Sequence, residues 1–383
     1  MKIKVKPEDF VVEELIVLPT SKFGPYTLLK LNKRYWNTLD VIDFVARRLS
    51  ASKERFSRAG LKDRYSLSTQ YLTFHGHIKE VIEEKNFKLM PVGKVSEPIS
   101  PEHLKGNKFS ITVRELNEQE IQKIYKNHSE VMKSGFPNYF DEQRFGSARH
   151  RKGFFAKLLM LGHYQGAMKL LLCYPYKDDS KKVKIFKKYC AEHWGNWSDC
   201  LSLAPIEFKR ILYFLKENPK DFKNAIKKID RDLLNLYLVA YQSYLFNEIL
   251  NLINKEYGIE NIEITYSMGK YIFYHHLKNL DFIKNLQIPM LNEKVVLSDF
   301  WNKFINRVLV KERISLSDFK LRKMRFRGVR FKNFLRPAII IPQEFALGEP
   351  QDDEIYRNRK KLLINFTLPP GSYATILIKR LLI

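Results

Sequence analysis

The chain has 383 residues, 45% of them hydrophobic, with 67 Lys and Arg against 42 Asp and Glu. That length allows two domains and a sizeable core, and the apolar content excludes a disordered chain. A formal charge of +25 excludes a charge-balanced surface and implies a polyanionic partner, most simply nucleic acid, gripped through phosphate contacts and counterion release.

β-Branched and apolar residues predict strands over Phe10–Leu18 and Tyr26–Leu31. A helix is predicted from Leu39 to Leu49, capped by Asn37, with Leu39, Ile42, Val45, Ala46 and Leu49 on one face. A strand starts near Ser68 and runs to His75. Lys108–Arg114 alternates, with Phe109, Ile111 and Val113 on one side, and Glu118–Lys133 is helical. This order predicts an α+β fold, with helices laid over a mostly antiparallel sheet. From about His150 the texture turns helical, over Phe154–Cys173, Pro205–Glu217 and Leu233–Tyr257, with a Lys-rich loop and helix start between the first two. β Texture returns after Arg336, at Ala338–Ile341 and Lys361–Thr367, and PPGSYATILIKRLL turns into a short closing helix. The chain reads as residues 1–152 and 336–383 forming one domain, interrupted by a helical insertion over 153–335.

The three cysteines, Cys173, Cys190 and Cys200, are too few and too odd in number for a disulfide framework and fit a reducing compartment. Cys190, His193 and Cys200 lie near one another without a CxxC or a fourth ligand, so no metal is expected. Nothing resembles a membrane span or a signal core, and a soluble, cytoplasmic protein is expected.

One segment carries chemistry. In AGLKDRYSLSTQ, Ala59–Gln70, a single acid, Asp63, stands between Lys62 and Arg64, just after Gly60. Flanking cations favour the ionised carboxylate. Taken alone, an Asp in such a turn more often caps or shapes the turn than catalyses. Three further segments are distinctive: VKPEDFVVEE (Val5–Glu14), GFPNYFDEQRFG (Gly135–Gly146) and LPPGSYATILIKRLL (Leu368–Leu382). The four resemble, in order, the motifs of the TruD family of pseudouridine synthases. Four motifs in one order are far more specific than any single one.

The resemblance implies a pseudouridine-synthase catalytic domain split by the insertion, acting on tRNA, with uridine 13 the usual target. It implies no cofactor, because substrate and product are isomers. No membrane and no obligatory protein partner are inferred. Asp63 is then the catalytic carboxylate, as nucleophile or as base, and Lys4 the cation that pairs with it. Lys62 and Arg64 are rival partners, or contacts to the phosphate of the flipped nucleotide. Phe10, Asn138, Phe140 and Tyr373 form the shell holding the flipped base, with Asn138 reading the uracil edge, and Arg144 contacts phosphate or braces Asp63. The acid-free run Phe319–Arg336 predicts a strand with Arg325, Arg327 and Lys332 on a cationic face, interleaved with Phe326 and Phe331 that stack or pack inward, and Arg325, Arg327 and Arg330 are expected to meet the RNA backbone. Two other functions fit the composition. A non-catalytic RNA-binding or chaperone protein would not depend on Asp63. A metal-dependent nuclease would need clustered carboxylates that the motif lacks.

Overall fold

The protein is described from a computed structural model. It covers the chain except residues 19, 22, 149–151, 177–178, 322–323, 325 and 327. The chain forms two compact units. One comprises Met1–Phe136 and Ile340–Ile383, the other Pro137–Ile339.

The first unit is built on an 11-stranded sheet. Its N-terminal strands are β1 (Phe10–Ile16), β2 (Thr20–Ser21), β3 (Tyr26–Lys33), β4 (Phe56–Arg58), β5 (Leu67–His75), β6 (Ile82–Glu84), β7 (Phe87–Val95) and β8 (Leu104–Leu116). The C-terminal segment adds Gln343–Leu347, Gln351–Asp352 and Lys360–Leu368. Lys360–Leu368 pairs antiparallel with β8, and β8 with β1. β1 then runs parallel to β5, placing Val11 opposite Leu67, and β5 lies antiparallel to β3. The two chain ends are therefore stitched into one sheet, and the α+β expectation holds.

Helix α1 (Thr38–Arg48) covers one face. Its Val41, Ile42, Val45 and Ala46 join Leu29, Leu31, Leu72, Phe74 and Leu89 in one core. Two details differ from the sequence reading. Leu39 and Leu49 are exposed, because the buried stripe is turned toward Thr38 and Val41. Asn37 occupies the N-cap, but its side chain accepts no helix backbone N–H, and its amide donates to the Asp40 carboxylate. β7 escapes the alternation pattern because it contains Pro91, which removes a ladder donor. The sheet takes this up with a register shift at Leu28/Leu29, opposite Pro91. Helix α2 (Glu118–Ser134) starts from a capping box between Asn117 and Glu120 and packs near the closing helix Ala374–Leu381. There the Asn127 amide donates to Leu381 O at 3.0 Å.

The second unit is mainly helical. The continuous helix expected over Phe154–Cys173 is two helices, α3 (Phe155–Met160) and α4 (Tyr164–Cys173). Gly162, in the left-handed region at φ 79°, breaks them apart. α5 (Lys181–Glu192), α6 (Trp197–Leu203), α7 (Ile206–Glu217) and α8 (Phe222–Ile226) lead to α9 (Arg231–Tyr257). α9 is buried on most of its circumference, with Leu234, Leu238, Tyr241, Leu245 and Ile249 in the core. Its buried amides are also engaged: Gln242 Nε2 donates to Leu291 O at 2.8 Å, and Asn254 Nδ2 to Ile272 O at 2.8 Å. Of the strand expected over Phe319–Arg336, the described residues form only its last two positions, Leu335 and Arg336. Leu316–Lys320 is a 3₁₀ turn, and among the described residues regular pairing resumes only at Leu335–Pro337. Phe331 is buried edge-on against Phe319, while Phe334 is exposed. Arg325 and Arg327 lie outside the described residues, and Arg330 is exposed.

The cysteines are buried free thiols, and no group of metal-ligating side chains occurs among the described residues. No helix among them is long and apolar enough to cross a membrane.

Candidate active site

Asp63 lies in the connection between β4 and β5. That connection, residues 59–66, has no regular hydrogen-bond ladder, so its shape depends on side chains reaching it from elsewhere.

Lys4 arrives from the N-terminus. Lys2 is bridged to Arg114 by two backbone hydrogen bonds of 2.8 Å, which anchor the segment to β8. Lys4 then adopts φ 57°, a left-handed conformation that costs a non-glycine residue about 1 kcal/mol or more. From there its Nζ donates to Asp63 Oδ2 at 2.5 Å. The same ammonium stands 4.1 Å from the centre of the Phe10 ring. Phe10 is buried and meets Phe109 edge-on, so its ring forms an apolar wall beside the ion pair. Lys4 is mostly shielded at 17% side-chain exposure, while Asp63 keeps 42%. The carboxylate is thus paired with a shielded cation while part of its own surface stays exposed.

Lys62 and Arg64 point to other partners. Lys62 Nζ donates to Glu14 Oε1 at 2.5 Å, with both side chains almost fully buried. Glu14 Oε2 also accepts from Tyr71 N at 2.9 Å, which ties the loop to β1 and β5 together. Arg64 Nε donates to Tyr35 O at 2.9 Å.

Several residues missed at the sequence level complete the loop's support. Thr38, at the start of α1, accepts from Lys62 N and donates to the buried Gln70 Oε1 at 2.7 Å. Ser66 Oγ donates to Asp63 O at 2.9 Å. Lys33, 1% exposed at the end of β3, donates to Asp63 O at 2.9 Å and to Lys62 O at 3.3 Å. Burial pulls the Lys33 ammonium down to about 8, with Lys62 adding to the fall and Asp63 opposing it. Lys33 looks like one surface lysine among many. Its alternate-position placement on β3 was the available signal.

Tyr373, half-buried in the same unit, is the N-cap of Ala374–Leu381, presented by a turn with Gly371 at φ 79°.

In the second unit, PNYF is held from several sides. Phe140 exchanges two backbone hydrogen bonds of 2.9 Å with the Asn247 amide. Tyr139 OH donates to Asn251 Oδ1 at 2.6 Å and accepts from Asn254 Nδ2 at 2.9 Å. The buried Arg336 is a residue the sequence reading passed over. Its guanidinium lies 4.1 Å from the Phe140 ring centre and donates to Asn138 Oδ1 at 2.6 Å. Asn138 Nδ2 donates to Pro337 O at 3.0 Å. The amide is thus held with its oxygen on Arg336, and only its nitrogen is left with donor capacity. Arg144 Nε donates to Ser243 Oγ at 3.4 Å.

Such a site places an ionised carboxylate, fixed by a lysine and walled by a phenylalanine, on a loop whose two key carbonyls are pinned. Comparison with known proteins agrees with the motif pattern. The profile of the family described as tRNA pseudouridine synthase D (TruD) matches residues 1–381. The chain belongs to the TruD family. A relative from Methanococcus maripaludis, named "Probable tRNA pseudouridine synthase D 1", is 35% identical, with 99% of each chain covered. A Leptospira interrogans tRNA pseudouridine synthase D is 29% identical over 100% of this chain and 96% of its own. A TruD crystal structure from Methanosarcina mazei superposes with a TM-score of 0.72 at 24% identity, covering 99% of this chain and 93% of that one. At that identity the likeness establishes the TruD fold.

Proposed function

We propose that this protein is a tRNA pseudouridine synthase that isomerises uridine, at position 13, with Asp63 as its catalytic carboxylate. The observation that carries the reading is the 2.5 Å contact between Lys4 Nζ and Asp63 Oδ2 beside the Phe10 ring. In the reaction the C1′–N1 bond breaks, the uracil turns, and C5 bonds to C1′. The C5 hydrogen leaves as a proton and N1 takes one up, so the atoms balance with no co-reactant. Asp63 acts at the sugar. Lys4 holds the carboxylate oriented and compensates its charge in a partly shielded site.

A base in folded RNA must leave its stack to be reached, and aromatic faces then receive it. On their motif positions, Phe10, Phe140 and Tyr373 are assigned to holding the base and Asn138 to its edge. Because Asn138 Oδ1 is taken by Arg336, its nitrogen is the reading group, and it donates to a uracil carbonyl. Cytosine carries an amino donor in place of O4 and is disfavoured there. Arg144 and the exposed Arg330 are assigned to phosphate contact, together with Arg325 and Arg327 of the same acid-free run. Lys62, occupied by Glu14, supports the loop, and Arg64, bonded to Tyr35 O, does the same.

The test is tritium release from tRNA labelled at uridine C5, with wild type and Asp63→Asn compared in the presence of EDTA. Release by wild type alone supports the reading. Tight tRNA binding without release, from transcripts and from unmodified total tRNA alike, would point to a non-catalytic RNA-binding protein. Release by Asp63→Asn at the wild-type rate would remove Asp63 from the chemistry.

A further inference from the structure

Lys33, at the end of a central strand of the first unit's sheet, is almost fully buried and bonded to two main-chain oxygens of the reactive loop. A buried cation costs stability, because burial penalises the charged form. An uncharged residue of similar length, such as Met, would fill the same slot without that cost. The charge therefore needs a local reason, and the neighbouring groups supply one.

From β3, Lys33 faces the loop backbone at Lys62 and Asp63. The Asp63 carboxylate attracts it and the Lys62 ammonium repels it. Lys62 is itself neutralised by Glu14 from β1, and Lys4 binds Asp63 through Oδ2. Next along the chain, Arg34 is paired with Glu8. On its flanking strands Lys33 lies opposite Ser68 and Phe87, which bring no charge. Lys33 and Lys4 thus both hold Asp63 through their ammonium groups, one by its main chain and one by its side chain.

We propose that Lys33, in its charged form, is a positioning residue for catalysis: it clamps the carbonyls of Lys62 and Asp63 and thereby sets where the Asp63 carboxylate stands. The proposal rests on the reading of Asp63 as the catalytic group. It adds that the site contains its own alkaline limit. Lys33 titrates at about 8, so above that pH the clamp loses its charge-assisted hydrogen bonds.

The sign of the linked stability effect separates this role from a structural one. Between about 8 and the ordinary lysine value of 10.5, the folded chain has released a proton that the unfolded chain still holds. Over that window the contribution of Lys33 to stability rises with pH. A rate that falls through pH 8 while the fold holds is therefore a positioning effect.

The experiment compares wild type with Lys33→Met in two ways. The first is single-turnover pseudouridine formation on tRNA from pH 6.5 to 9.5. In wild type the rate should fall with a midpoint near 8 with no parallel fall in melting temperature. In Lys33→Met the rate at neutral pH should drop about ten- to a hundredfold, with tRNA affinity within about twofold, and the alkaline fall should vanish. A variant that keeps the wild-type rate, or shows the same alkaline fall, overturns the proposal. The second is hydrogen exchange at the Lys62 amide, which donates to Thr38 Oγ1, and it needs no activity. Lys33→Met should lose protection there while the β3–β5 ladder keeps its own. Unchanged protection at Lys62 overturns the proposal even if the chain makes no pseudouridine, an outcome that would refute the activity separately.

Discussion

Replacing Glu14 by Gln isolates the support of the reactive loop from the chemistry. Glu14 is 0% exposed at its side chain and Lys62 8%, and their charged atoms are 2.5 Å apart. Glu14→Gln leaves the Lys62 ammonium buried without its counter-charge, and Lys62→Met leaves the carboxylate with only the Tyr71 amide. Breaking one side of a buried pair costs about 3–5 kcal/mol, whereas replacing both sides with uncharged groups is often close to neutral. Each single variant should therefore lose a large part of a typical domain stability of about 5–15 kcal/mol. The double variant Glu14→Gln/Lys62→Met should recover most of the loss. Because a chain of two compact units need not unfold in one step, the loss is best read by native-state hydrogen exchange of β5 amides as urea is raised. Two results would refute the reasoning: single variants that each cost less than about 1 kcal/mol, or a double variant that costs the sum of the two. The same variants decide whether Lys62 meets substrate. If it supports the loop, the stability recovered in the double variant should bring activity back with it.

Three other outcomes follow from the geometry. Arg336→Met frees Asn138 Oδ1 and uncovers one side of Phe140; kcat/KM should fall about tenfold or more, with conversion of cytidine-substituted substrate the sensitive check on the lost amide orientation. Arg330→Glu, on an exposed residue, should weaken tRNA binding and reduce the slope of log affinity against log salt by about one, leaving single-turnover chemistry unchanged. Asp353 forms a pair with Arg114 at 2.9 Å. Burial alone would raise its carboxyl, but backbone donors from Glu115 and Ile355 and the Arg114 guanidinium hold it below the usual 3.8. Its stabilising contribution is present above that value and lost as pH falls through the lowered one. Asp353→Asn should therefore destabilise the fold at neutral pH and flatten the acid limb of a melting-temperature profile.

Local pattern was enough for several elements. Phe109, Ile111 and Val113 alternate because one face of β8 is buried, and the helix expected over Glu118–Lys133 forms as α2, Glu118–Ser134. Ordered motifs likewise carried the family membership and drew attention to Asp63. What the pattern could not supply were contacts closed over long stretches of chain. Lys4 meets Asp63 across 59 residues, a pairing that only the family resemblance pointed to, since nothing in the residues between them indicates it. Lys33 and Glu14 looked like a surface cation and a strand acid until the β1–β5–β3 pairing turned them inward onto the loop. Arg336 became the brace of Asn138 and Phe140 in a run expected as an RNA-contacting strand, where Phe319 and Phe331 are packed inside instead. Periodicity reports which face of an element is buried. Which buried charges then find one another depends on how the elements pair, and that was decided by the tertiary structure alone.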